Sequence, residues 1–77
     1  MTAYRESCIQ IASYIELKGE LSPKALIQMG TGKKTQSILS KNYYGWFVRI
    51  KRGVYALSDK GKQDIKEYPD LIEYYRQ

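Results

Sequence analysis

Apolar positions along the chain fall into blocks whose spacing changes from helical to extended and back to helical. Tyr4, Cys8, Ile11, Ala12 and Ile15 recur every three or four residues and make one stripe of a helix over Thr2–Lys18. Thr2 suits its N-cap, Glu6 lies in the first turn where the helix dipole favours an acid, and Gly19 is a natural stop. Ile9 falls off the stripe and Leu17 lies only partly on it. That spacing predicts a helix contacted on more than one side, either as a central helix or through a dimer contact.

Glu20-Leu21 reads as a short extended link, and Ser22-Pro23 then opens a second helix, with Ser at the N-cap and Pro where its missing N–H costs nothing. It runs from Pro23 to about Met29, with Ala25, Leu26 and Met29 inward. Gly30-Thr31-Gly32 makes a tight turn, and a third helix is expected from Lys33 to about Lys41. Two short helices joined by a Gly-bearing turn form a helix-turn-helix unit over residues 22–41. Thr35, Ile38 and Leu39 mark the inner side of its second helix. The opposite side carries Lys33, Gln36, Ser37, Ser40 and Lys41, with Lys34 on the flank.

Asn42–Gly45 breaks the helical pattern. Two β-type runs follow, Trp46–Ile50 and Val54–Leu57, around a Lys51-Arg52-Gly53 tip, which reads as a hairpin over residues 46–57. Tyr55 and Leu57 share one face and are expected to close over Ile38 and Leu39. Ser58 caps a last helical segment over residues 59–76, which Gly61 weakens and Pro69-Asp70 interrupts. Ile65 and Tyr68 are spaced to pack back onto the body. Leu71, Ile72, Tyr74 and Tyr75 are apolar for a terminus, so the tail is expected to dock on the first helix or on a second copy. With Ile9 they form the candidate dimer or partner surface.

Helix, helix, turn, helix, two-stranded wing and helix is the connectivity of a winged helix-turn-helix domain. The expected class is α+β, mainly α: a single domain over residues 1–77 with a three-helix core, a two-stranded wing and C-terminal helices.

Composition narrows the chemistry. Seventy-seven residues allow one thin core, and every apolar face is needed to build it. Cys8 is the sole cysteine and there is no His, which removes the common zinc patterns and the usual general base. No metal and no cofactor is expected. No apolar run approaches the roughly 18 residues of a membrane span, and the N-terminus does not resemble a signal peptide, so a cytoplasmic setting is the expectation. Gly30-Thr31-Gly32-Lys33-Lys34-Thr35 lacks the first glycine and the preceding strand of a phosphate-binding loop.

Charge changes the picture more than composition does. From Leu21 to Ser58 there are seven basic residues (Lys24, Lys33, Lys34, Lys41, Arg49, Lys51, Arg52) and no acid. The flanks hold six basic residues against eight acids, a net −2, so the +5 of the whole chain is concentrated at its centre. Segregated positive charge is the footprint of a polyanion site. Gln36, Ser37 and Ser40 are expected near base edges, since a Gln amide can pair bidentately with adenine. Lys33, Lys34 and Lys41 suit phosphates, and Arg49, Lys51 and Arg52 would anchor the wing.

The run RIKRGVYALSDKG (Arg49–Gly61) resembles the RGVYxLTxxG signature that closes many winged-helix modules. A longer stretch, Thr35–Gly61, resembles the C-terminal winged-helix module attached to a restriction-endonuclease-like PD-(D/E)XK family. The shared pattern, YGWFxRxxRGVYxLT, is met at Tyr44, Gly45, Trp46, Phe47, Arg49, Arg52, Gly53, Val54, Tyr55 and Leu57. This resemblance implies a binding module only, because the chain has no spare length for that family's catalytic sheet and acidic residues. The resulting expectation is a non-enzymatic, double-stranded-DNA-binding protein, a small transcriptional regulator or accessory factor. The rival is a winged-helix adaptor that dimerises or binds a protein without DNA.

Overall fold

A computed structural model describes residues 1–76. Three serine or threonine caps set the helix starts. Thr2 Oγ1 accepts the amide of Arg5 at 3.2 Å and opens α1, Ala3–Lys18. Ser22 Oγ accepts the amide of Ala25 at 3.1 Å and opens α2, Pro23–Gln28. Ser58 Oγ accepts the amide of Gly61 at 3.0 Å and opens α4, Asp59–Asp64. Each hydroxyl satisfies an amide that has no partner inside its own helix.

Helix α3, Thr35–Lys41, begins two residues later than expected. Thr35 Oγ1 donates to the carbonyl of Gly32 at 2.5 Å, and the Thr35 amide bonds the same carbonyl at 3.2 Å. Lys33 and Lys34 are thereby held in a turn ahead of the helix. The hydroxyls of Thr31 and Thr35 are also bonded to each other, at 2.5 Å, within the protein interior. This polar pair fixes the α2–α3 turn.

The sheet is a hairpin of β1, Phe47–Lys51, and β2, Val54–Leu57, paired antiparallel. Phe47 faces Leu57, Val48 faces Ala56, Arg49 faces Tyr55 and Lys51 faces Val54, which leaves Ile50 as an extra residue in a bulge. Gly53 has φ +74°, a conformation that favours glycine, and it closes the turn. The Glu20-Leu21 link also adds to the sheet: the Leu21 amide bonds the Tyr55 carbonyl at 3.0 Å, and the Tyr55 amide returns to Leu21 at 2.9 Å. β2 therefore has partners on both sides, whereas among the described residues β1 is paired only with β2.

One core unites the elements. It contains Cys8, Ile9, Ile11, Ala12 and Ile15 of α1, Leu26, Ile38, Leu39, Trp46, Phe47, Leu57 and Ile65. Ile9 is 0% exposed, so α1 is a central helix and Ile9 is no part of a partner surface. Residues of α1 are buried on both sides of the stripe because β2, α5 and the 3₁₀ turn Ile65–Glu67 all pack against it. β2 lies chiefly against α1 and α4, not over α3 as the alternation of Tyr55 and Leu57 suggested; Leu57 is buried and Tyr55 half-buried.

The C-terminal helix α5, Pro69–Arg76, docks on α1 of the same chain. Tyr75 packs edge-on against Tyr14 at 6.0 Å, and Arg76 pairs with Glu16 at 2.9 Å. Leu71, Ile72 and Tyr75 are half-buried, which corrects their placement on a candidate partner surface; only Tyr74 of that group stays open, at 68% exposure. The molecule is α+β and mainly helical, and its element order is compatible with a winged-helix-like arrangement. No helix among the described residues is long and apolar enough to cross a membrane.

Candidate nucleic-acid interface

Helix α3 separates its two sides cleanly. Thr35, Ile38 and Leu39 are buried, while Gln36, Ser37, Ser40 and Lys41 are exposed. Lys33 and Lys34 are exposed on the turn before the helix and border, with Ala3, Tyr4, Ser7 and Ile38, a cleft of about 270 Å³ beside the start of α1. Lys34 is the N-cap of α3, its carbonyl accepting the Ile38 amide at 2.9 Å, so the two lysines precede the helix rather than lying in its first turn.

The other end of α3 is tied to the wing. Asn42, with φ 48° and ψ 47°, terminates the helix in a left-handed conformation that Asn tolerates better than most residues. Its side chain then bonds the backbone of Phe47 twice: Nδ2 donates to the Phe47 carbonyl at 2.8 Å, and Oδ1 accepts the Phe47 amide at 3.0 Å. The first residue of β1 is thus fixed relative to the last turn of α3. Sequence patterning treated Asn42 as a simple helix break and missed this coupling.

Below the wing, Trp46 anchors the hairpin. Its indole Nε1 donates to Asp64 Oδ2 at 3.0 Å, and the same oxygen accepts from Lys60 Nζ at 2.5 Å. The hydrogen bond from Lys60, and then that from Trp46, hold the Asp64 carboxyl below its ordinary pKa. Trp46 and Phe47 are buried, so these two aromatics roof the core and are closed to base stacking. Arg49, Lys51 and Arg52 are all exposed.

All seven basic residues between Leu21 and Ser58 are exposed. The two ion pairs among the described residues, Lys60–Asp64 and Arg76–Glu16, use none of them. Three exposed side chains were not singled out from the sequence. Tyr43, 76% exposed, lies 6.2 Å from Tyr4 by ring centroids, next to Lys41. Val48 and Ile50, at 46% and 53%, are the apolar residues of β1 that the core does not cover. Strand alternation after the buried Phe47 was the available signal for Val48.

A family model described as "Putative PD-(D/E)XK phosphodiesterase (DUF2161)" matches residues 1–64. The chain belongs to this family. DUF2161 thus covers α1, the helix-turn-helix unit, the hairpin and α4, well beyond the Thr35–Gly61 stretch that carried the resemblance in sequence. Membership also overturns the expectation of a non-enzymatic protein, because the DUF2161 family is described by a phosphodiesterase activity. No curated protein and no solved structure matches the chain.

Nucleases of the two-metal type hold their ions on converging acidic side chains. Among the described residues, no group of three or more His, Cys, Asp or Glu side chains comes together. Asp64 is committed to Lys60 and Trp46, and Glu16 to Arg76. The described residues of this DUF2161 chain do not assemble such a centre.

Proposed function

We propose that this chain provides the duplex-DNA-binding surface of a DUF2161 phosphodiesterase, using a winged helix-turn-helix arrangement. The observation that carries this reading is the central segment of seven exposed basic residues and no acid, none of them neutralised by an ion pair among the described residues. A phosphodiesterase acting on DNA must hold a polyanion, and the basic centre suits that task.

In this reading α3 enters the major groove with Gln36, Ser37 and Ser40 toward base edges. Lys41, with Lys33 and Lys34 on the preceding turn, neutralises phosphates, and Arg49, Lys51 and Arg52 hold the backbone beside the wing. Family membership favours service to phosphodiester chemistry over transcriptional regulation. The adaptor alternative loses its main support, since Ile9 is buried and most of the apolar tail is covered by α1.

Titration of mixed-sequence duplex DNA at several salt concentrations tests the proposal. Six phosphate contacts, one each from Lys33, Lys34, Lys41, Arg49, Lys51 and Arg52, give a log K against log[salt] slope of about −5.4, at about −0.9 per contact. A flat salt dependence overturns it.

A further inference from the structure

We propose that the wing is a minor-groove wedge, in which Ile50 enters a base step while the flanking cations hold the two phosphate backbones. This rests on the duplex-binding reading and adds to it a bend in the DNA and a preference for deformable sequence.

Three observations on the hairpin carry the inference. Ile50 is the extra residue of a β-bulge, without a cross-strand Cα partner, and such bulges re-aim side chains and sharpen local twist. It is 53% exposed, more open than the other exposed aliphatic residues Leu17, Ile27 and Val48, and Val48 at 46% lies on the same strand. Its neighbours are Arg49, Lys51 and Arg52, all exposed, and no acid lies between Leu21 and Ser58. A basic edge strand by itself is explained as protection against pairing with other strands. That account covers the lysine and the arginines but not the isoleucine, since an exposed β-branched residue on an edge strand promotes such pairing. An apolar side chain beside a basic tip fits a polyanion with an apolar interior, which the stacked bases of a duplex provide. Proteins that insert Ile, Leu, Phe or Met into the minor groove unstack a step and kink the duplex by about 20–90° toward the major groove. Pyrimidine–purine steps such as TA yield most easily, so the wedge predicts tighter binding where one lies under the wing.

End-labelled duplexes with a central TA step or an A-tract, read by energy transfer between the ends, test the wedge. The unmodified chain is expected to shorten the end-to-end distance of the TA duplex and to bind it several-fold more tightly than the A-tract. Ile50→Ala is expected to bind with an unchanged salt slope, to leave the duplex straight and to lose the preference. Ile50→Phe is expected to keep the bend, which separates the wedge from an effect on folding, and Val48→Ala is expected to leave the bend unaltered. Binding with no bend, or an equal bend from Ile50→Ala, overturns the wedge and leaves duplex binding standing. So does concentration-dependent self-association that Ile50→Ala abolishes while the two proteins bend DNA alike. No salt-dependent binding to any duplex overturns both readings.

Discussion

The side-chain amide of Asn42 bonds both backbone groups of Phe47, at 2.8 and 3.0 Å, and so joins the end of helix α3 to the start of the wing. The two parts of the candidate interface therefore do not move as independent pieces. Replacing Asn42 separates two effects. Asn42→Gly keeps the left-handed conformation accessible and loses only the bonds, about 1 kcal/mol. Asn42→Ala loses the bonds and adds strain at positive φ, about 2 kcal/mol in total. Thermal melts should rank the parent above Asn42→Gly and Asn42→Ala lowest, with about 4–8 °C per kcal/mol for a domain of this size. A Gly variant as stable as the parent would show that the Phe47 bonds contribute nothing.

A second close relationship lies between Gly61 and Trp46. A Cβ at Gly61 would come within 2.3 Å of the Trp46 carbonyl oxygen, which also accepts the Ser58 amide at 2.8 Å. In an open helix, Gly→Ala stabilises by about 0.4–1 kcal/mol. Here the contact is with backbone that cannot swing aside, and the sign reverses. Gly61→Ala should destabilise by about 1–3 kcal/mol, and the fluorescence of Trp46, the sole tryptophan, should report the shift of the hairpin base. A raised melting temperature would contradict the contact.

What the sequence could and could not disclose follows the range of each interaction. All three N-caps, Thr2, Ser22 and Ser58, were legible because capping is settled within four residues. The polar side of α3 was legible from its period. Gly61 read as a weak point in α4 because its partner, Trp46, is 15 positions away and on another element. Ile9 read as off-stripe because a single stripe assumes one neighbour, whereas α1 has packing on several sides. The late start of α3 depends on where the Thr35 hydroxyl turns, which residue type alone does not specify. The link to a PD-(D/E)XK family was legible in the motif between Tyr44 and Leu57, but a catalytic centre was not, since no acidic cluster forms among the described residues.

Cys8 supplies a pH prediction. Burial pushes its thiol up from an ordinary 9.0 to about 11, with the Tyr4 hydroxyl and then Arg5 opposing more weakly. Burial likewise raises the Tyr4 and Tyr75 phenols. A raised folded pKa means that the unfolded chain releases its proton first. The stability is fully present below about pH 9 and is lost as pH rises toward 11. Urea midpoints should fall between about pH 8 and pH 10.5, and Cys8→Ala should flatten that decline. Alkylation of native Cys8 near neutral pH should be slow, because the thiolate is the reactive form.

The wing and helix α3 should differ in what their loss does to binding. Lys51 ends β1 and Arg52 shares the turn with Gly53; both are exposed, with long side chains suited to phosphates. Lys51→Ala with Arg52→Ala should weaken binding to every duplex by a similar factor and reduce the salt slope by about 1.8, at about 0.9 per contact. Gln36, exposed on the polar side of α3, carries no charge, so Gln36→Ala should leave the slope unaltered. Loss of a bidentate adenine contact costs about 1–3 kcal/mol on the preferred sequence and little elsewhere, so the preference should flatten. Comparing both proteins across a randomised duplex pool at two salt concentrations separates these effects. Equal losses on all sequences from both variants would remove Gln36 as a reader of bases, and an unchanged slope in the double variant would remove the wing from the phosphate contacts.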